Sequence, residues 1–241
     1  MYTDADGNKI DASPLDDSQV RQLRSLYDEA TERKELTAEM LLESGMRAGE
    51  LAHIKPRWFV VTDADNLGIK IPTREPCDCT DCMSRAEDAV KSWCEYEPQS
   101  GEERPDVGSD EYHDILEGRK TEMWKPKSEE GSRTIVLPGA LWQRAKEHVE
   151  ENDGWSCGRS GIWYRIKWFR DRMDLPEQQP LSPHILRHTA LRSMARAEVG
   201  VDELQDVAGH ANLTSTQEYF EPDVDEDIAP AMEKTRAQRD W

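Results

Sequence analysis

No stretch of this 241-residue chain approaches the roughly 20 apolar residues that span a bilayer. The N-terminal MYTDADGNKI lacks the apolar run of a secretory signal. These two absences predict a cytoplasmic protein. Cysteine is scarce: five residues, an odd number, four of them crowded between 77 and 94. That argues against a secreted disulfide scaffold. Lysine is scarce too, 11 residues against 20 arginines, and the 31 cations face 50 carboxylates. The length nevertheless suits one large domain or two small ones with a real core.

A net charge of -19, a pI near 4.7 and a mean hydropathy of -0.86 leave two explanations. The chain is either partly disordered or folded with a surface built for concentrated salt. Eight tryptophans and several amphipathic segments exclude wholesale disorder. Arginine favoured over lysine inside an acidic excess resembles the usage of halophilic archaeal proteins. In molar salt a Debye length of about 3 Å screens most of the self-repulsion.

Apolar spacing predicts a helix over 15–33 with Ser18 as N-cap, a second over 37–43 broken by Gly45, and a third over 47–54 ending before Pro56. Strands are expected at 58–62, 67–72 and 133–138, and further helices at 139–151, 161–173, 183–198, 202–208 and 215–220. Residues 1–14 read as a flexible terminus, 223–241 as an acidic tail leading into a short helix. Residues 73–122 change character, becoming Cys-rich and then Glu- and Gly-rich with poor periodicity, and read as an insertion. The plan is α+β: mostly helical, with one small antiparallel sheet.

Against this acidic background, PHILRH (183–188) concentrates positive charge. Ser182 suits an N-cap and Pro183 the first helical position. His184, Arg187 and His188 then share one face at i, i+3 and i+4. Such a face joins a bidentate phosphate binder to imidazoles that exchange protons near pH 7. Between Trp155 and Arg196 eight cations, among them Arg159, Arg165, Lys167, Arg170, Arg172 and Arg192, oppose three acids. A basic tract in an acidic chain points to a polyanionic partner. Downstream, VAGHANLTSTQEYF offers Gly209 as a helix C-cap, His210 at the start of a loop, and a capping box from Thr214 with Gln217 or Ser215 with Glu218. Tyr219 follows His210 by nine residues.

These residues together resemble the tyrosine recombinases, the phage-integrase family. The shared pattern is GMRAGEL (45–51) with its Arg47, a lysine near a hairpin turn, HILRH (184–188), Gly209-His210 and Tyr219. It covers about 18–222 apart from the insertion. The resemblance implies a small-sheet helical catalytic domain that cleaves and rejoins DNA strands through a 3′-phosphotyrosyl link, without ATP or a catalytic metal. It implies that Arg47 and Arg187 clamp the phosphate, that His184 assists proton transfer with Tyr219, and that His210 donates to the phosphate. A lysine, Lys127 in preference to Lys125, would protonate the departing 5′-oxygen. These demands are physical: a phenol of pKa about 10 needs a base or a strong field, and the transition state gathers charge on its free oxygens. A homotetramer on double-stranded DNA is the implied assembly, with 227–241 a candidate docking segment. The pattern begins near residue 15 and leaves no room for the family's usual N-terminal DNA-clamp domain, so the sequence is expected to be either the catalytic part of a longer protein or a naturally short version. Alternatives are a type IB topoisomerase-like relaxation activity and a DNA-binding accessory protein.

His188 is expected to support the fold, Glu50 to sit in a first helical turn and orient Arg47, and Trp163, Trp168 and Phe169 to lie in the core. The C-x-C-x₂-C run of Cys77, Cys79 and Cys82 either holds a structural zinc or is a set of free thiols in a loop. Cys94 is the first candidate for fourth ligand, with His113 behind it. Cys157 reads as a buried thiol.

Overall fold

The computed structural model describes residues 2–3, 9–10, 13–96, 103–120, 124–126, 131–197, 199–210 and 214–220. Strands β1 (Tyr2–Thr3) and β2 (Lys9–Ile10) form a two-residue antiparallel ladder. Helix α1 (Asp17–Ser25) is capped by Asp16, not Ser18. The Asp16 carboxylate accepts the Gln19 amide at 2.8 Å while the Gln19 side chain accepts the Asp16 amide, a reciprocal capping box. Ser18 is inside the helix and donates to that carboxylate.

The expected 15–33 helix is interrupted by a 3₁₀ turn at Tyr27–Glu29, and α2 then runs from Glu32 to Ser44. It starts five residues earlier than its apolar pattern suggests because Glu32, Arg33, Lys34 and Glu35 are good helix formers that periodicity does not register. Leu36, Ala38, Met40, Leu41 and Leu42 are all buried, so α2 forms the centre of the fold, with Glu35 and Glu39 on its remaining face paired to Arg144. It packs on α6 (Gly139–Asn152), α7 (Arg159–Arg170) and α8 (Pro183–Arg196).

Strands β3 (Phe59–Val61), β4 (Leu67–Ile71) and β5 (Arg133–Val136) make one antiparallel sheet in that order. Ile69 stands opposite both Phe59 and Ile135. Ile69, Ile71 and Ile135 are buried, so one face of the sheet closes the core. Short α3 (Ala48–Ala52) leads from α2 towards the sheet.

The 73–122 region is largely helical: α4 (Thr80–Glu95) and α5 (Asp110–Lys120) pack on each other around Ala86, Val90, Tyr112 and Leu116. This small cluster is separate from the main core, and Cys94 packs against it. Its apolar stripe is one residue per turn (86, 90, 94), too narrow to stand out in the sequence. Helices α9 (Val201–Ala208) and α10 (Thr214–Gln217), with a 3₁₀ turn at Glu218–Phe220, complete the described chain. They gather Leu191, Leu204, Ala208 and Tyr219 into a third cluster beside α8.

Candidate active site

Two helix ends build the site. Gly45 terminates α2 and Gly209 terminates α9, both in the left-handed conformation at φ 61°. Each end leaves carbonyls without helical partners and with partial negative charge. Arg187, on the second turn of α8, uses them: its Nη1 donates to Gly45 O at 2.5 Å and its Nη2 to Ala208 O at 2.7 Å. A buried guanidinium is thus fixed before any ligand arrives. Burial, and then the charge of Arg47, push its pKa down to about 9, which leaves it cationic at pH 7.

Arg47 is the N-cap of α3, and its Nη2 donates to Gly209 O at 2.9 Å. Glu50, three residues on, accepts from the Arg47 backbone amide at 2.7 Å and from its Nη1 at 2.9 Å. The same carboxylate takes a two-pronged bond from Arg133 on β5, both contacts at 2.9 Å. Burial raises the Glu50 pKa, but the Arg133 hydrogen bond and the charges of Arg133 and Arg47 outweigh it and hold the carboxyl below its usual range. Arg133 also donates to Val207 O at 2.6 Å, joining the sheet to α9. The expected orienting role of Glu50 is therefore half of a longer chain: Arg133 holds Glu50, and Glu50 holds Arg47.

The imidazoles complete the wall. His210 Nε2 lies 3.1 Å from Arg187 Nη2 and its Nδ1 lies 3.1 Å from Thr216 Oγ1. Arginine can only donate, so Nε2 accepts and Nδ1 carries the proton. Burial and the positive charges of Arg187, Arg47 and Arg133 lower the His210 pKa to about 4. Burial together with His184, Arg187 and His210 does the same for His188. The Tyr219 ring stacks on His210 with centroids 6.1 Å apart, and His188 meets it edge-on at 5.4 Å. His184 lies 4.1 Å beyond His188. Arg47, His184, Arg187, His188, His210 and Tyr219 all line one cleft of about 1200 Å³.

Residues 120–226 match the phage integrase family. The chain is 35% identical over 118 residues to the tyrosine recombinase XerA of Thermococcus onnurineus, covering 43% of this chain and 40% of that protein. It is 26% identical over 139 residues to XerD of Bifidobacterium longum, covering 52% and 44%. The chain thus spans under half the length of these relatives. Residues 120–226 are thus similar to the phage integrases, and the chain to the Xer tyrosine recombinases. The fold agrees. The Tn1549 transposon integrase, solved with transposon right-end DNA, superposes with a TM-score of 0.56 at 17% identity over 95% of this chain and 68% of that one. The XerA crystal structure gives 0.54 at 13% identity, over 95% and 64%.

The predicted site residues divide. Lys127 and the acidic tail lie outside the described residues, whereas the expected cap Thr214 is the first residue of α10. Lys125 is exposed and lines the cleft. Of the predicted DNA-binding set, Arg159 faces the cleft. Four others are engaged elsewhere. Arg165 bonds Thr37 and Ser156, Lys167 pairs with Asp171, Arg170 donates to Pro176 O, and Arg172 stacks on Trp168 at 4.0 Å. Arg192 is half-buried on α8 and is not part of the cleft lining. Trp163 is a correction: it is 46% exposed on the cleft wall beside Tyr164, while Phe169 is core and Trp168 is half-buried. Helical spacing alone cannot tell which face of α7 meets solvent.

Cys94 is a second correction. Cys82 and Cys94 lie on the same continuous helix α4, and 12 residues of helix separate them by about 18 Å along the axis. His113 stands edge-on to Tyr112 on α5. The side chain that joins Cys77, Cys79 and Cys82 is His53, with all four donor atoms within 4.8 Å of one another. His53 sits 24 residues before Cys77 and carries no motif of its own, so only the fold brings it in. Arg133 and Arg85, the latter also lining the cleft, likewise had no role assigned from the sequence.

Proposed function

We propose that this chain supplies the catalytic unit of a site-specific DNA recombinase. The observation that carries this reading is one cleft wall where two fixed guanidiniums, His210 and the Tyr219 ring converge. Arg47 and Arg187 suit the non-bridging oxygens of a phosphodiester, whose charge grows in the transition state. The Tyr219 oxygen attacks phosphorus, the bond to the 5′-oxygen breaks, and a 3′-phosphotyrosyl link forms. The phenol proton leaves through the imidazoles: His188 is neutral at pH 7 and lies between Tyr219 and His184. The departing 5′-oxygen takes a proton from a lysine of the 125–127 segment, Lys127 by family pattern. Attack by a 5′-hydroxyl from another strand reverses the step, so the bond energy is conserved and no cofactor is consumed.

On this reading 15–222 form the catalytic domain, with the α4–α5 pair as an insertion at 73–122. Exchange between two duplexes needs four nucleophiles, which calls for a homotetramer on DNA. A nicked suicide substrate drawn from sequences around the encoding locus tests the proposal across a salt series. Wild type should give a denaturation-resistant protein–DNA adduct, and Tyr219→Phe none. Arg187→Ala should lose roughly 100-fold or more in adduct formation, the usual effect of removing a transition-state donor. DNA binding without any adduct would favour the accessory reading, and relaxation without strand exchange the topoisomerase reading.

A further inference from the structure

We propose that His53, Cys77, Cys79 and Cys82 form a zinc site that holds two walls of the catalytic cleft together. Three separate segments meet there: the end of α3 gives His53, the loop between β4 and α4 Cys77 and Cys79, and the first turn of α4 Cys82. His53 Nε2 is 3.2 Å from Cys82 Sγ and 3.4 Å from Cys79 Sγ. A tetrahedral ion with Zn–S near 2.3 Å and Zn–N near 2.0–2.1 Å places its ligand atoms roughly 3.5–3.8 Å apart, so little movement is needed. Three thiolates and one imidazole make a closed structural set, and the soft sulfurs disfavour magnesium or calcium.

The surroundings fit a metal ligand. His53 Nδ1 is 2.6 Å from the Gly49 carbonyl, which fixes the proton there and turns the Nε2 lone pair towards the thiols. Arg85 Nη2 reaches Cys82 Sγ at 3.1 Å, offsetting the net negative charge that three thiolates bring to a divalent ion. Cys77 and Cys79 are only partly buried, leaving a route for the ion.

The position gives the site its purpose. On one side His53 closes α3, the five-residue helix whose N-cap is Arg47 and whose third residue is Glu50. On the other side its ring stacks on Trp124 at 5.3 Å and 24°. Trp124 is locked to Glu75 by two backbone bonds of 2.8 and 3.0 Å, and it immediately precedes Lys125 and Pro126 in the cleft wall. A zinc ion at His53 therefore ties the phosphate-binding arginine to the segment that leads to the lysines. His53 acts here as a positioning residue.

Elemental analysis of the purified full chain should find about one zinc per chain, and cobalt replacement should give the intense visible bands of a tetrahedral thiolate site. Cys79→Ser and Cys82→Ser should lose the ion while Cys94→Ser keeps it. Arg85→Ala should bind zinc about tenfold more weakly, as loss of an outer partner does. If the cysteine variants do not fold, hydrogen exchange on wild type before and after chelation supplies the second readout. Stripping the ion should speed exchange at the His53, Glu75 and Trp124 amides and leave the β4–β5 ladder protected. Folded chain without zinc, with freely titratable thiols and no cobalt spectrum, would overturn the site. Unchanged exchange after chelation would overturn its positioning role. None of these readouts depends on recombination, so a failure of the recombinase reading remains a separate result.

Discussion

Glu50 is the pivot of the site because one buried carboxylate serves two guanidiniums. Its exposure is 2% and that of Arg133 is 6%, so their two-pronged pair has little water to replace it. Truncating Arg133 leaves a buried carboxylate with Arg47 alone, and breaking such a pair typically costs about 3–5 kcal/mol. Arg133→Ala should therefore lower urea-unfolding stability by an amount of that order, and Arg133→Lys by less. His210 makes a prediction of opposite character. Its pKa of about 4 reflects burial and three nearby cations, so an anion that neutralises those charges must raise it. Binding of a DNA phosphate should move the His210 titration towards neutrality, freeing Nε2 to become a donor. NMR titration of labelled histidine with and without substrate reads this directly, and an unmoved pKa would remove His210 as a phosphate donor. In the free protein, His188 and His210 have folded pKa values below the unfolded 6.5. Their contribution to stability is present above 6.5 and lost as pH falls towards 4, because the unfolded chain binds more protons in that window. Thermal melts should decline across it.

The helix ends show the same logic one level up. Gly45 stops α2 at φ 61°, and a Cβ there would meet Leu191 Cδ2 at 3.2 Å. The Gly45 carbonyl also receives Arg187. Gly45→Ala should cost roughly 1–2 kcal/mol for the left-handed residue. It should depress adduct formation further than that loss explains, by displacing Arg187; equal losses in both would show the carbonyl to be incidental. Much of this level was legible. The Ser182-Pro183 start of α8, the left-handed Gly209 and the three strand segments of the sheet follow from local chemistry and spacing, and the grouping of Arg47, Arg187, His210 and Tyr219 from the resemblance to the tyrosine recombinases. What escaped reading depends on tertiary placement. The α4–α5 pair has too thin an apolar stripe, α2 is masked by its polar first turn, and Trp163 and Phe169 share one helix but face different surroundings. His53 and Arg133 drew no role from the sequence because the thiols that meet the one and the Glu50 carboxylate that meets the other lie 24 or more residues away.

At the scale of the whole molecule, two electrostatic demands oppose each other. The chain carries -19, yet its cleft is lined by Arg47, Arg85, Lys125, Arg159 and Arg187 against Glu50 and Asp81. Added salt screens the repulsion among the surface carboxylates, so thermal stability should rise from tenths of molar towards molar salt. The same salt weakens phosphate contacts, each of which contributes about -0.9 to the slope of log affinity against log salt on duplex DNA. Strand-transfer activity should therefore pass through a maximum set by the crossing of the two trends. Arg159 separates them. It is exposed on the cleft wall, so Arg159→Ala should reduce the salt slope by about one while leaving the melting temperature nearly unchanged. Arg172, stacked on Trp168 and bonded to its carbonyl, should leave the slope unchanged when replaced by alanine. If both substitutions reduce the slope equally, DNA also contacts the turn beyond α7, and the path of the duplex extends beyond the cleft.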